Sequence, residues 1–303
     1  MIRFRLGTRG SPLALTQAGM VRDALCAAHG WNPAEVELVV IRTTGDRVQD
    51  RALAEIGGKA LWTKELDRAL LANEIDAAVH SMKDVETVRP AAIRIAATLP
   101  RADVRDRLIG ADTVDALPHG ATVGTSSPRR RAQLLRLRPD LNIVLFRGNV
   151  ETRLAKLAAG EVDATLLAAA GLDRLSRGDV GHAVPTDVML PAPAQGAVGI
   201  EVRADDADGH RLIGAIDDPA THACIVAERA LLAELRADCH SPVAALASLA
   251  GETLSLRAEL LAEDGDAHVA GSIEGVAGEA CGRELATTLL DRAPPAIRNL
   301  FGA

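Results

Sequence analysis

The run His80-Ser81-Met82-Lys83-Asp84 sets an imidazole, a hydroxyl, an ammonium and a carboxylate within five positions. It leaves Asp76–His80, a segment that reads as a buried strand. In open α/β sheets the C-terminal ends of strands line the ligand crevice. Burying an adjacent Lys and Asp there is costly unless both are paired or used. A carboxylate so placed can move protons or hold a developing positive charge. A surface turn with an ordinary ion pair is the competing reading, and the run alone leaves both open.

A second set of residues suits anions. Ser11-Pro12 and Ser127-Pro128 each read as a helix N-terminus, with Ser as cap and Pro at the first helical position. Free N–H groups and a partial positive charge make such ends attractive to anions. Arg9 precedes the first cap, and Arg129, Arg130 and Arg131 follow the second. Cations in a first turn oppose the helix dipole, so an anion among them would relieve the conflict. A solvated basic face is the alternative. Arg147 and Arg153 lie at the next strand-to-helix junction, beside Gly148-Asn149. Guanidinium groups grip carboxylates with two parallel hydrogen bonds, so their convergence would imply a ligand with several carboxylates or phosphates. No glycine-rich nucleotide loop is present.

The elements that must position these residues form two similar series. Strands are expected at Ile2–Leu6, Glu37–Ile41 and Asp76–His80, with helices from Ser11-Pro12 to about Ala28 and from about Ala60 to Ala72. The pattern repeats with strands at Ala121–Gly124, Asn142–Phe146 and Asp163–Ala168. Its helices run to about Leu137, to Ala159 and near Leu172. Such alternation predicts mostly parallel sheets. A strand over 197–202, returning to the first series, would give a two-segment crossover with a cleft between lobes. Residues 43–58 read as a polar loop and candidate lid. After Pro219 the pattern becomes a helix over 221–235, three strands near 243–250, 253–262 and 267–274, and a helix over 279–290. The fold class is therefore α/β, with two similar periplasmic-binding-protein-like lobes and a smaller α+β C-terminal domain built on an antiparallel sheet. The expected domains are 1–98 with 197–216, 99–196, and 217–303.

Composition narrows the function. A net charge of −7 opposes general nucleic-acid binding, and 2% aromatic residues leave little for base stacking. No run approaches the roughly 20 apolar residues of a membrane span, and the N-terminus does not read as a secretory signal; a cytoplasmic location is expected. The four cysteines and eight histidines show no metal-ligand spacing, so no metal is expected. Only four of 34 basic residues are lysine, and Lys59, Lys64 and Lys83 fall near the candidate site.

Taken in order, several runs resemble the porphobilinogen deaminase (hydroxymethylbilane synthase) family. They are 8–15 (TRGSPLAL), 57–61 (GGKAL), 80–85 (HSMKDV), 124–130 (GTSSPRR) and 147–150 (RGNV). Ala170-Gly171-Leu172 with Arg174, Gln195-Gly196-Ala197 and Glu228-Arg229-Ala230 extend the match over nearly the whole chain. The resemblance implies an enzyme that joins four porphobilinogen molecules with release of ammonia, a step in haem biosynthesis. It also implies a covalent dipyrromethane cofactor and a monomeric protein. Porphobilinogen carries an acetate and a propionate, which would account for the arginines.

By resemblance, Asp84 is the catalytic carboxylate and Cys239 the thioether attachment point. Ser81, Lys83, Ser127, Arg129 and Arg130 are implied to hold the cofactor. Arg9, Ser11, Lys59, Arg147, Arg153 and Arg174 are implied to bind substrate. The chain departs from the family pattern at Trp62, Glu86, Ala194, Ala237-Asp238 and His240-Ser241. Glu86 stands where proline is usual and adds a negative charge near Asp84. Cys26, Cys224 and Cys281 fall in expected helices and read as structural. A non-enzymatic two-lobed anion-binding protein is the alternative.

Overall fold

The computed structural model describes residues 2–42 and 63–301. The chain divides into two compact units, Met1–Ala102 with Gly196–His222, and Asp103–Gln195 with Ala223–Ala303.

In the first unit, strand β1 (Phe4–Arg9) leads through Gly10 to helix α1 (Pro12–His29). Ser11 caps that helix as expected, its hydroxyl accepting from the Ala14 N–H at 3.3 Å. Strand β2 (Val36–Ile41), helix α2 (Lys64–Leu71), strand β3 (Ala77–Ser81) and strand β4 (Ile93–Thr98) follow.

In the second unit, strands β5 (Asp106–Ile109) and β6 (Thr122–Gly124) precede helix α3 (Pro128–Leu137). Strand β7 (Asn142–Val144), helix α4 (Val150–Ala158), strand β8 (Ala164–Ala168), helix α5 (Ala169–Arg174) and the two-residue strand β9 (His182–Ala183) come next. The chain then returns to the first unit as strand β10 (Val198–Arg203) and helix α6 (Ala207–Gly214).

The first sheet has the order β2-β1-β3-β10-β4 and the second β7-β6-β8-β5-β9. In each, three parallel strands are joined by an antiparallel strand supplied from across the crossover, then by an edge strand. The repeated order makes two similar lobes, as expected. The sheets are mixed, however, not mostly parallel. β4 and β5 were not foreseen: Asp106-Arg107-Leu108-Ile109 carries two charges in four residues, which reads as loop until a partner for Asp106 is known.

Helix α7 (Pro219–Glu234), strands β11 (Val243–Ala250), β12 (Thr253–Leu261) and β13 (His268–Val276), and helices α8 (Glu279–Arg292) and α9 (Pro295–Arg298) complete the chain. The three strands form the expected antiparallel sheet. In the second unit this sheet is tied to the five-stranded one. Glu259 of β12 accepts from Gln133 at 3.1 Å and pairs with Arg136 at 3.1 Å, both on α3. The Ala245 N–H of β11 donates to the Pro191 carbonyl at 3.1 Å.

Each sheet buries its own apolar residues. Leu6, Val21, Leu25, Val79, Val198 and Ile200 fill one cluster of the first unit, and Leu66, Leu70, Ile75 and Ile93 fill another. Leu108, Val123, Leu134, Leu166 and Met189 fill the second lobe's sheet. Leu231, Leu256, Leu260, Leu285 and Leu289 close the C-terminal one. Each fully buried side chain of this size contributes about 1.5–3 kcal/mol, so the ends of strands that carry polar residues are held by rigid apolar layers.

Candidate active site

Strand β3 ends at Ser81, and a single 3-10 turn, Met82–Asp84, carries the chain off the sheet. The turn is anchored by its one apolar residue. Met82 is buried, and its N–H donates to the Ala197 carbonyl at 3.1 Å. Gly199 of β10, in register with His80, gives the Met82 side chain room, because a Cβ there would overlap its sulfur. Lys83 and Asp84 are thereby left half-buried at the rim.

A small pocket of about 60 Å³ opens at this place, lined by residues that include Arg9, Ser11, Gln17, Ser81 and Asp84. Arg9 ends β1 and Ser11 caps α1, so strand end, helix N-terminus and turn meet at one spot in the first unit. Gln17 was not singled out from the sequence. Buried on α1, it donates from Nε2 to the Ser81 hydroxyl at 2.8 Å. Its signal was a polar residue on the core-facing stripe with Ala18, Val21 and Leu25.

Behind the turn lies a buried ionic cluster that the sequence also did not reveal. Arg89 donates to both oxygens of Glu201 at 2.8 Å, to Asp67 at 2.5 Å and to Glu86 at 2.6 Å. The Thr63 hydroxyl donates to Glu86 at 2.7 Å. His80 Nε2 stands 3.2 Å from Glu201 but out of line for a hydrogen bond. Burial opposes the charge on Glu201, but His80 and Arg89 outweigh it and hold the pKa at about 2. For Asp67 the balance reverses: burial outweighs Arg89 and raises its pKa. Glu86 thus turns away into this cluster, and its negative charge faces a guanidinium.

The second unit brings Ser127, Arg129, Arg130 and Arg153 to the α3 N-terminus. Ser127 is the cap, its hydroxyl accepting from the Arg130 N–H at 3.4 Å. Arg129 and Arg130 are both buried, and each donates to Asp106, at 2.8 and 2.7 Å. Arg129 also reaches the Gln133 side chain and the Leu190 carbonyl, and Arg130 the Leu166 carbonyl. Burial opposes the charge on Asp106, yet the two guanidiniums hold its pKa far below the carboxylate range. Burial lowers the pKa of Arg129 and of Arg174. Two cations share one carboxylate here, which leaves a local positive excess.

Arg153 donates to the Gly148 carbonyl at 3.0 Å and to Ser126 at 3.4 Å. Arg147, in the link between β7 and α4, and Arg174, at the end of α5, are both half-buried. Cys239 is exposed and in no disulfide, between α7 and β11, in a link braced by the Asp238 carboxylate, which accepts from the His240 N–H at 2.8 Å. Cys224 and Cys281 are buried and Cys26 half-buried, all in helices. Lys59, Trp62 and the expected lid over 43–58 lie outside the described residues. Among the described residues no group of acidic, His or Cys side chains is placed to hold a metal ion.

Ala194, where the family pattern has glycine, adopts φ +62. Its N–H donates to buried Glu228 at 2.5 Å, and Glu228 also accepts from Ala247 at 2.7 Å. The neighbouring Gln195 donates to Asp106 at 2.8 Å. The left-handed conformation, costly for a residue with a Cβ, is therefore pinned by charge-assisted hydrogen bonds.

Two family models match the chain: "Porphobilinogen deaminase, dipyromethane cofactor binding domain" over residues 4–211 and "Porphobilinogen deaminase, C-terminal domain" over 222–291. A protein named porphobilinogen deaminase from Sphingopyxis alaskensis is 58% identical over 98% of this chain and 96% of its own length. Its namesake from Paracoccus denitrificans is 53% identical over 96% of this chain and 95% of its own. With both models covering their parts in order and the relatives matching end to end, the chain belongs to the porphobilinogen deaminase family.

Proposed function

We propose that the chain is a hydroxymethylbilane synthase, a transferase of tetrapyrrole biosynthesis. It joins four porphobilinogen molecules head to tail and releases one ammonia per unit. The observation that carries this reading is the meeting of Arg9, Ser11, Ser81 and Asp84 around one pocket in a chain of this family. Arg9 and the α1 N-terminus bind the acetate or propionate of the incoming porphobilinogen. Charge-assisted hydrogen bonds of this kind contribute about 1.5–3 kcal/mol each. Asp84 accepts the pyrrole N–H and offsets the positive charge that develops as ammonia leaves. It then takes the proton released when the new carbon–carbon bond is made. Gln17 orients the Ser81 hydroxyl beside it.

The residues present suit a dipyrromethane group. Cys239 is an exposed thiol, and such a thiol can supply the sulfur of a thioether. Arg129 and Arg130 each keep a buried Nε–H with no acceptor among the described residues, which a carboxylate would satisfy. Cys239 would hold the group covalently, and Ser81, Lys83, Ser127, Arg129 and Arg130 would hold its carboxylates. When bound, it supplies the pyrrole terminus to which units are added. Arg147, Arg153, Arg174 and Lys59 bind carboxylates of the lengthening chain.

We assign these tasks to three parts, 1–98 with 197–216, 99–196, and 217–303. A monomeric, cytoplasmic protein is in keeping with the family resemblance. No described helix is long and apolar enough to cross a membrane. The alternative of a non-enzymatic anion-binding protein leaves Asp84 and Cys239 without a purpose.

The test is Asp84→Ala. The variant should fold and carry its cofactor, and its turnover of porphobilinogen should fall at least about 100-fold, the low end for general acid–base catalysis. Turnover close to the parent's would remove Asp84 from the chemistry.

A further inference from the structure

Arg89 offers five N–H groups, and each has an acceptor. Nε and Nη2 take the two oxygens of Glu201, Nη2 also takes Asp67, and Nη1 takes Glu86 and the Thr63 hydroxyl. Three carboxylates surround this one guanidinium, whose side chain is 8% exposed. A site so crowded with negative charge needs a purpose beyond packing, since apolar residues of similar volume would stabilise the interior as well or better.

Position suggests that purpose. Glu201 lies in β10, Asp67 in α2, and Thr63 just before α2. Glu86 lies two residues beyond Asp84, and Arg89 five. The turn that presents Asp84 is held on its upstream side by Met82, through the bond to Ala197 and the packing on Gly199. On its downstream side Glu86 binds both Arg89 and Thr63. Asp84 thus stands between two anchor points.

We propose that Glu86 and Arg89 are positioning residues for Asp84: they clamp the downstream end of its turn to α2 and β10, so that the carboxylate keeps its orientation toward the pocket. The proposal rests on the assignment of Asp84 as the reacting carboxylate. Glu86 is the sharper probe of the two. Removing it leaves Arg89 paired with Glu201 and Asp67, so the buried centre keeps its counterions. What is lost is the tie to the turn. Removing Arg89 would strand buried carboxylates and endanger folding.

The test compares Glu86→Ala, Glu86→Gln and Asp84→Ala with the parent, each assayed per mole of cofactor-bearing protein by intact mass. Displacing a reacting group by about 1 Å costs up to about 100-fold in rate. Glu86→Ala should therefore lose about tenfold or more in kcat, with KM for porphobilinogen changed less than about twofold. Glu86→Gln retains an acceptor for Arg89 and Thr63 and should recover most of the rate. A Glu86→Ala protein with lowered Tm but parental kcat would overturn the proposal and reduce the cluster to a structural role. Should Glu86→Ala not fold, Glu86→Asp keeps the charge and shortens the reach. A lower kcat is expected of it, and a parental one would overturn the clamp. The two readings separate cleanly. An inactive Asp84→Ala beside a fully active Glu86→Ala sinks the clamp alone, whereas an active Asp84→Ala sinks both.

Discussion

Glu201 and Asp106 each place a carboxylate in a strand of a five-stranded sheet, and each remains ionised because guanidinium groups stand against it. The consequence for pH follows from sign. The pKa of Glu201 is lowered to about 2 in the folded protein, below its unfolded value of about 4.3. Its contribution to stability, on the order of 3 kcal/mol, is therefore present above pH ~4.3 and is lost as pH falls toward 2. Asp106 adds to the same trend, its pKa being held lower still. Chemical denaturation between pH 6 and pH 2 should show stability falling steadily below pH ~4.3, and Glu201→Gln should flatten that fall while lowering stability at neutral pH. A pH-independent parent would contradict the pairing. None of this was legible in the sequence, because Arg89 and Glu201 are 112 positions apart. The place of Ser81 and Asp84 at a strand's C-terminal end was legible, because Asp76–His80 reads as a strand from its own residues.

Elements declared themselves where local chemistry decides them. Both Ser-Pro caps open helices as expected, since the cap needs only its own next three residues. The three C-terminal strands and their flanking helices also fall where the apolar pattern puts them. Strands β4 and β5 escaped because their place depends on partners brought in by the crossover. β10 shows the same dependence from the other side: its Gly199 is needed only because Met82 packs there. Gly199→Ala should destabilise the protein by about 1–3 kcal/mol, the usual cost of overpacking. It should also depress kcat through the displaced Asp84 turn. Equal stability and equal kcat would show that the Met82 anchor is dispensable.

For the whole molecule, an acidic chain of net charge −7 keeps local clusters of positive charge. Arg9 lines the pocket of the first unit, and Arg129 and Arg130 outnumber Asp106 in the second. The order of the motifs along the chain made the family readable. The internal ion pairs that shape each lobe stayed hidden, because they join residues from distant elements. The central claim is that the chain carries a dipyrromethane on Cys239 and extends it with porphobilinogen. Intact-protein mass spectrometry of the parent and of Cys239→Ser tests it most directly. The active parent should be heavier than its sequence by two pyrrole units, with the added mass on the peptide bearing Cys239. The Cys239→Ser protein should have its bare mass and no activity. An active parent of unmodified mass, or an adduct on any other cysteine, would contradict it.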